Sequence, residues 1–214
     1  MRKIFKITKS SDGFISRHIN RKISIRISKF LLKIHPEINP ITVSYFCFIL
    51  ALLGGFFFLF TLPLIGGIVV QISSIIDGCD GEIARLTNKA SKKGAFMDSV
   101  LDRYADLTII TLIMYYLQGT FVVSNFYTII FLVGVLAIVG SLLISYTATK
   151  SVQFLSYEFP RTIEGRDFRC FVIMIGGITS LFWAFSLFVA LLYIACITNF
   201  KTIQRVYQMK KLIQ

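Results

Sequence analysis

Long apolar runs separated by short polar or basic stretches set the pattern of this chain. Apolar residues dominate 42–60, 64–86, 91–117, 121–151, 166–179 and 180–205. Most of these runs reach the roughly 20 residues that a helix needs to cross a hydrocarbon core of about 30 Å. Lipid offers no backbone hydrogen-bond partners, so such runs are read as helices. The expected fold is all-α and integral to the membrane, with six transmembrane helices preceded by a cytoplasmic amphipathic juxtamembrane helix.

That first helix is expected to start from a cap at Ser11 or Asp12 and to run to residue 33. Ile15, Ile19, Ile23, Ile27, Phe30 and Leu31 recur on one face, and Arg17, Arg21, Lys22, Arg26 and Lys29 occupy much of the remainder. Such a helix either lies in the lipid interface, basic side to the phosphates, or packs on the underside of the membrane domain. His35-Pro36 and Asn39-Pro40 break the chain, dividing an N-terminal interfacial helix, 1–35, from a six-helix membrane domain, 36–214. Thr61-Leu62-Pro63 turns the first span, the second and third spans form an antiparallel hairpin, and Gly176-Gly177 shorten or bend the fifth. No repeat or low-complexity linker marks a further domain.

Composition agrees with a membrane reading: 55% of residues are hydrophobic and 16% are charged. A net charge of +12 in a soluble protein would suggest nucleic-acid binding, but the positions of the charges argue for lipid instead. Ten Lys/Arg precede the first span, four lie at 85–93, four at 150–169 and four at 201–211, leaving Arg103 alone inside an apolar run. The turns near 60–65, 118–125 and 178–181 carry none. This alternation places both termini and the 85–93 loop in the cytoplasm of a multi-pass cell-membrane protein, its basic edges against anionic headgroups. The N-terminal basic residues lack a cleavable apolar stretch, so a secretory signal is not expected. Cys47, Cys79, Cys170 and Cys196 form no CxxC pair and are read as packing residues. Phe56, Phe57, Phe58, Phe182, Trp183 and Phe185 are read as lipid-facing or packing residues, and His18 and His35 as interfacial.

The chemistry concentrates in one stretch. Six of the eleven acidic residues fall between Asp77 and Asp106, where two apolar helices would otherwise exclude them. Asp77 and Asp80 are spaced i,i+3 and Asp98 and Asp102 i,i+4, so each pair projects from one helix face and the hairpin brings the pairs together. Four carboxylates so gathered repel unless a divalent cation neutralises them, and oxygen-only ligands favour magnesium or manganese over zinc. Gly78, Gly81 and Gly94 clear space for a ligand or a backbone, Ala84 keeps the next turn small, and Arg85 supplies a cation suited to a diphosphate. Arg103 either does the same or pairs with an acid. A structural acid cluster and a divalent-metal transporter are the competing readings, but transport predicts acids near the bilayer midplane and these begin near the helix ends.

Residues 77–102 read D-x2-D-G-x2-A-R-x8-G-x3-D-x3-D, with all eight fixed positions in register. This resembles the signature of the CDP-alcohol phosphotransferases, transferases of substituted phosphate groups that include phosphatidylinositol-phosphate and phosphatidylglycerol-phosphate synthases. The resemblance implies that Asp77, Asp80, Asp98 and Asp102 bind two magnesium or manganese ions, with Asp102 also the general base for the acceptor hydroxyl. It further implies that Asp77, Asp80, Gly81, Ala84, Arg85, Gly94 and Asp98 surround the CDP moiety, that CMP leaves, and that the protein is a homodimer.

Ser145-Tyr146 with Lys150, then Arg166-Asp167-Phe168-Arg169, resembles the segments that read phosphorylated acceptors in this family, with Gly165 where Glu is usual. Lys150, Arg166 and Arg169 are therefore candidate acceptor-phosphate ligands, against their plainer reading as topological charges. The stretch at 12–24 looks like the approach to the membrane domain of di-myo-inositol-phosphate-phosphate synthases, which often carry a fused cytidylyltransferase not contained in these 214 residues. That resemblance implies CDP-inositol as donor and inositol 1-phosphate as acceptor. The alternative is a phospholipid synthase with a CDP-diacylglycerol-like or CDP-archaeol-like donor.

Overall fold

The computed structural model describes residue 13 and residues 15–121, 124–160 and 163–213. The expected caps Ser11 and Asp12 lie outside the described residues. A π-helical turn, Ser16–Asn20, leads into α1 (Arg21–Ile34), followed by α2 (Pro40–Leu59), α3 (Pro63–Leu86), α4 (Lys92–Thr120), α5 (Ser124–Leu155), α6 (Arg166–Thr179) and α7 (Ser186–Ile213). All regular secondary structure among the described residues is thus helical.

Local chemistry sets the helix ends. Asn39 accepts a hydrogen bond from the Ile41 amide at 3.0 Å and Pro40 opens α2, a pairing suited to an N-terminus. Helix α2 ends as the Leu62 amide donates to the Phe57 carbonyl at 3.0 Å around Thr61, whose φ is 57°. Helix α3 ends the same way, with Lys89 donating to Ala84 at 2.9 Å around Asn88 at φ 55°. Helix α7 begins six residues after the expected 180. The Ser180 and Ser186 hydroxyls instead donate to the Gly177 and Gly176 carbonyls at the end of α6, where the chain reverses.

By length and composition α2, α3, α5 (over Phe126–Leu155) and α7 can cross a membrane. The expected count of six is therefore not reached on these grounds. Helix α4 has 29 residues, but its acids make it too polar. Helix α6 has only 14, about 21 Å at 1.5 Å per residue. Outward-facing residues such as Phe46, Ile49 and Leu53 on α2 and Leu132, Leu136 and Leu143 on α5 are exposed and apolar, consistent with a multi-pass protein in a lipid solvent.

The helices close a ring in which α2 packs on α3, α3 on α6, α6 on α7, α7 on α5, α5 on α4, and α4 back on α2. The expected α3–α4 hairpin exists in connectivity but not in packing, because no Cα of α3 lies within 8 Å of one in α4. Facing rows of carboxylates repel and need room between them, and α2 is the wedge that holds the two helices apart. Its adjacent glycines serve one neighbour each: a Cβ on Gly54 would stand 2.9 Å from the Val70 backbone nitrogen of α3, and one on Gly55 3.0 Å from Leu112 Cδ1 of α4.

An apolar core of Phe58, Val70, Ile109, Ile113, Leu117, Leu187 and Leu191 fills the ring. A smaller cluster of Val43, Cys47, Cys79 and Ile83, backed by Ile27 and Leu31, joins α2 and α3 to α1. Cys47, Cys79 and Cys170 are buried as expected of packing residues, while Cys196 is exposed. Helix α1 packs on α3 through a polar stripe, Asn20, Ser24 and Ser28, and leaves Ile19, Ile23, Phe30 and Ile34 of its apolar face exposed.

Candidate active site

The end of α3, the start of α4 and the start of α6 converge at one end of the ring. Asp77 on α3 and Asp98 and Asp102 on α4 each present a carboxylate oxygen, and the three lie within 4.8 Å of one another. This is the hollow that the α2 wedge keeps open. Asp80 stands beside the trio rather than in it. Its Oδ2 accepts the Ser44 hydroxyl of α2 at 2.5 Å, its Oδ1 accepts the Gly81 amide, and it also meets the Asp98 side chain.

Arg166, the first residue of α6, reaches into the hollow. Its Nη1 lies 2.9 Å from Asp102 Oδ1 and 3.1 Å from Asp77 Oδ1, and its Nε lies 3.2 Å from Asp106 Oδ1. Neither Nη1 contact has hydrogen-bond alignment, so that nitrogen is close to two acids without a well-formed bond to either. Arg169, one turn on, donates from Nη2 to Asp106 Oδ2 at 2.6 Å. Arg103 lies 3.5 Å from Asp102, so it pairs with an acid. Among the described residues, Arg103, Arg166 and Arg169 pair with Asp77, Asp102 and Asp106, while Asp77, Asp98 and Asp102 keep carboxylate oxygens gathered on one hollow. That all-oxygen donor set fits a hard divalent cation.

The other expected positions are distributed around this centre. Gly81 faces the Arg85 guanidinium, which folds back one turn so that a Cβ on Gly81 would be 3.1 Å from Nη1. Ala84 is half-buried on the same helix, and the Gly94 amide donates to the Ser91 hydroxyl that caps α4, at 3.1 Å. Lys150 is not brought to the cluster. Its ammonium donates to Gln153 at 2.8 Å and lies over the rings of Tyr146 and Phe154, all on its own helix.

A polar cavity of about 100 Å³ opens against Asp77, Asp102 and Arg166. Further lining comes from the segment before α2: Gly13, Ser16, Asn20, Arg21 and Ser24. Sequence reasoning missed this lining and its anchor, Glu82. That carboxylate, fully buried, accepts the Ser24 hydroxyl at 2.6 Å, the Ser28 hydroxyl at 2.7 Å and Arg21 Nη1 at 2.9 Å. Asp106 was also missed, although it continues the i,i+4 row of Asp98 and Asp102.

With this geometry in place, residues 38–201 match the model of the CDP-alcohol phosphatidyltransferase family, and the chain belongs to that family of transferases. Among its relatives is the Bifunctional IPC transferase and DIPP synthase of Archaeoglobus fulgidus, 39% identical over 198 residues, covering 85% of this chain and 36% of that protein. The protein so named in Aquifex aeolicus is 36% identical over 92% of this chain and 44% of its own length, so the chain spans less than half of both. The Archaetidylinositol phosphate synthase of Pyrococcus horikoshii is 30% identical over 88% of this chain and 92% of its own. The fold matches that of the Mycobacterium tuberculosis phosphatidylinositol phosphate synthase with CDP-DAG bound, at TM-score 0.71 and 20% identity over 87% of this chain and 92% of that one. A second structure of the same enzyme, in complex with manganese and citrate, matches at TM-score 0.70 with 20% identity over 86% and 87% of the two chains.

Proposed function

We propose that this protein transfers a phosphoryl-alcohol group from a CDP-alcohol to an acceptor hydroxyl, releasing CMP, in a reaction dependent on magnesium or manganese. The observation that carries this reading is the Asp77, Asp98 and Asp102 trio at the edge of a polar cavity. Those three acids, with Asp80 held beside them by Ser44, would hold the ions, a set of two by family resemblance. A bound divalent ion supplies neutralisation of the diphosphate and of the leaving CMP.

The residues themselves do the rest. Asp102 faces the cavity and takes the acceptor proton as the hydroxyl attacks. Gly81, Ala84, Arg85 and Gly94 border the CDP moiety. Arg166 Nη1, poorly aligned with two carboxylates, turns to the acceptor phosphate once those acids have another counter-charge, and Arg169 fixes Asp106 so that α6 stays in register. The basic clusters put this end in the cytoplasm, with α4 and the short α6 completing six crossings of a lipid-embedded homodimer.

For substrates we favour CDP-inositol and inositol 1-phosphate, because every described residue lining the cavity is polar or glycine, a surface suited to polyols rather than to an acyl chain. The relatives named for DIPP synthesis support the same choice. A lipid-linked donor is favoured by one different observation, the near full-length match to the Archaetidylinositol phosphate synthase. CMP release by the purified chain separates them, offering inositol 1-phosphate with either CDP-inositol or CDP-archaeol. Turnover with CDP-inositol supports the soluble reaction, turnover with CDP-archaeol alone moves the chain to lipid synthesis, and no CMP from either would contradict the donor assignment.

A further inference from the structure

The N-terminal helix is held to the bundle in an unusual way for an amphipathic helix. It buries its polar stripe, and the two parts of that stripe do different things. Asn20 exchanges hydrogen bonds with α3, donating to Ser74 Oγ at 3.3 Å and accepting from Gln71 Nε2 at 3.0 Å. Ser24 and Ser28 engage one oxygen each of Glu82. The preceding turn is fixed as well, because the Ser16 amide donates to Asp167 Oδ2 at 2.7 Å, next to Arg166. Segment, acid row and α6 are therefore tied together around one cavity.

Arg21 is the residue this arrangement presents. Its Nη1 donates to Glu82 and, at 3.2 Å, to the Gly78 carbonyl, inside the acidic motif. Glu82 already receives both serine hydroxyls, so Arg21 adds charge balance rather than the only hydrogen bond. The Arg21 side chain keeps 12% of its surface open, where Glu82 keeps none, and it lines the same cavity as Arg166. Two guanidinium groups lining a space whose other described side chains are three hydroxyls, one amide and three carboxylates suit a phosphorylated polyol: guanidinium for phosphate, donors and acceptors for a ring of hydroxyls. A side chain needed only for lipid contact would point the other way.

We infer that Arg21 and Asn20 are substrate-binding residues that recognise a phosphorylated polyol, with Glu82 the positioning residue that aims Arg21 into the cavity. This rests on the transfer reaction proposed above. The polyol belongs either to the CDP-linked donor or to the free phosphate ester, and kinetics with each substrate varied in turn tells the two apart.

The test uses the full chain in detergent with Arg21→Lys, Asn20→Ala and Glu82→Gln. CMP release is measured with CDP-inositol and inositol 1-phosphate, and inositol 1-phosphate binding is measured calorimetrically in magnesium. Arg21→Lys is expected to raise one KM by about tenfold or more, with kcat within about threefold and manganese affinity unchanged. A rise for CDP-inositol assigns the donor's polyol, and a rise for inositol 1-phosphate assigns the acceptor. Glu82→Gln, which keeps an acceptor for Arg21, is expected to shift the same KM less. Should Arg21→Lys fail to fold, Asn20→Ala leaves the Arg21–Glu82 pair intact and reads the same KM. If no variant moves either KM beyond about twofold and inositol 1-phosphate binding is unaltered, the inference is overturned. If the wild type makes no CMP yet binds inositol 1-phosphate and loses that binding in Arg21→Lys, the reaction assignment fails and the binding site stands. A wild type that binds no inositol 1-phosphate and makes no CMP overturns both.

Discussion

Glu82 and Asp77 lie five residues apart on α3 and meet opposite fates. Glu82 is sealed off, its side chain fully buried, with an arginine and two serine hydroxyls donating to it. Asp77 keeps 28% of its side chain open, shares its space with Asp98 and Asp102, and borders a cavity. Asp106 resembles Glu82 in this respect, held between Arg166 and Arg169. An acid-rich stretch is thus two things at once: built-in donors satisfy some carboxylates, and others gather at an open cavity, where the ion is proposed to sit.

The largest effect is expected from the second group. Asp98→Asn should lower turnover by about 10³-fold and abolish manganese binding seen by electron paramagnetic resonance. Its melting temperature in metal-free buffer should hold or rise, since one repelling charge is gone. Asp102→Asn should lower turnover by about 10²-fold or more while retaining folding and much of the manganese binding, because the distinct role proposed for it is proton transfer. Near-wild-type turnover would remove it from that role.

Glu82→Ala sharpens the contrast from the other side. Leaving Arg21 and two serines without their acceptor is expected to cost about 3 kcal/mol of stability, read as a lower melting temperature in detergent, with manganese affinity kept in the protein that remains folded. An unchanged melting temperature would show that the seal around Glu82 contributes little. The smallest effect separates two basic residues of the same expected group. Arg166→Ala should raise the acceptor KM by about tenfold, whereas Lys150→Ala, whose partners are on its own helix, should leave it within about twofold.

What could be read from the sequence follows the length scale of each signal. Apolar runs gave the helices, and the breaks at Asn39-Pro40 and Thr61-Leu62-Pro63 put the neighbouring ends within a few residues. The acids of the motif are legible because i,i+3 and i,i+4 spacing fixes which side chains share a face. The packing between helices is not encoded at that range. Connectivity suggested that α3 and α4 pack together, and only the two glycines of α2, each opposite a different helix, show why they stand apart. Glu82 was hidden for a related reason. The i,i+4 row of Asn20, Ser24 and Ser28 is present in the sequence, yet beside a clear isoleucine stripe it gives no sign of a buried carboxylate some fifty residues away. Arg166 was read as an acceptor-phosphate ligand or a topological charge, while the structure also makes it the counter-charge of the acids it would serve beside.

Metal withdrawal tests the central claim most directly. CMP release from whichever CDP-alcohol pair turns over should fall to background when the purified protein is stripped with EDTA, and return on adding magnesium or manganese in excess. CMP release that persists through exhaustive chelation, with no metal detectable in the protein, would contradict the assignment of Asp77, Asp98 and Asp102 as ligands of a catalytic ion.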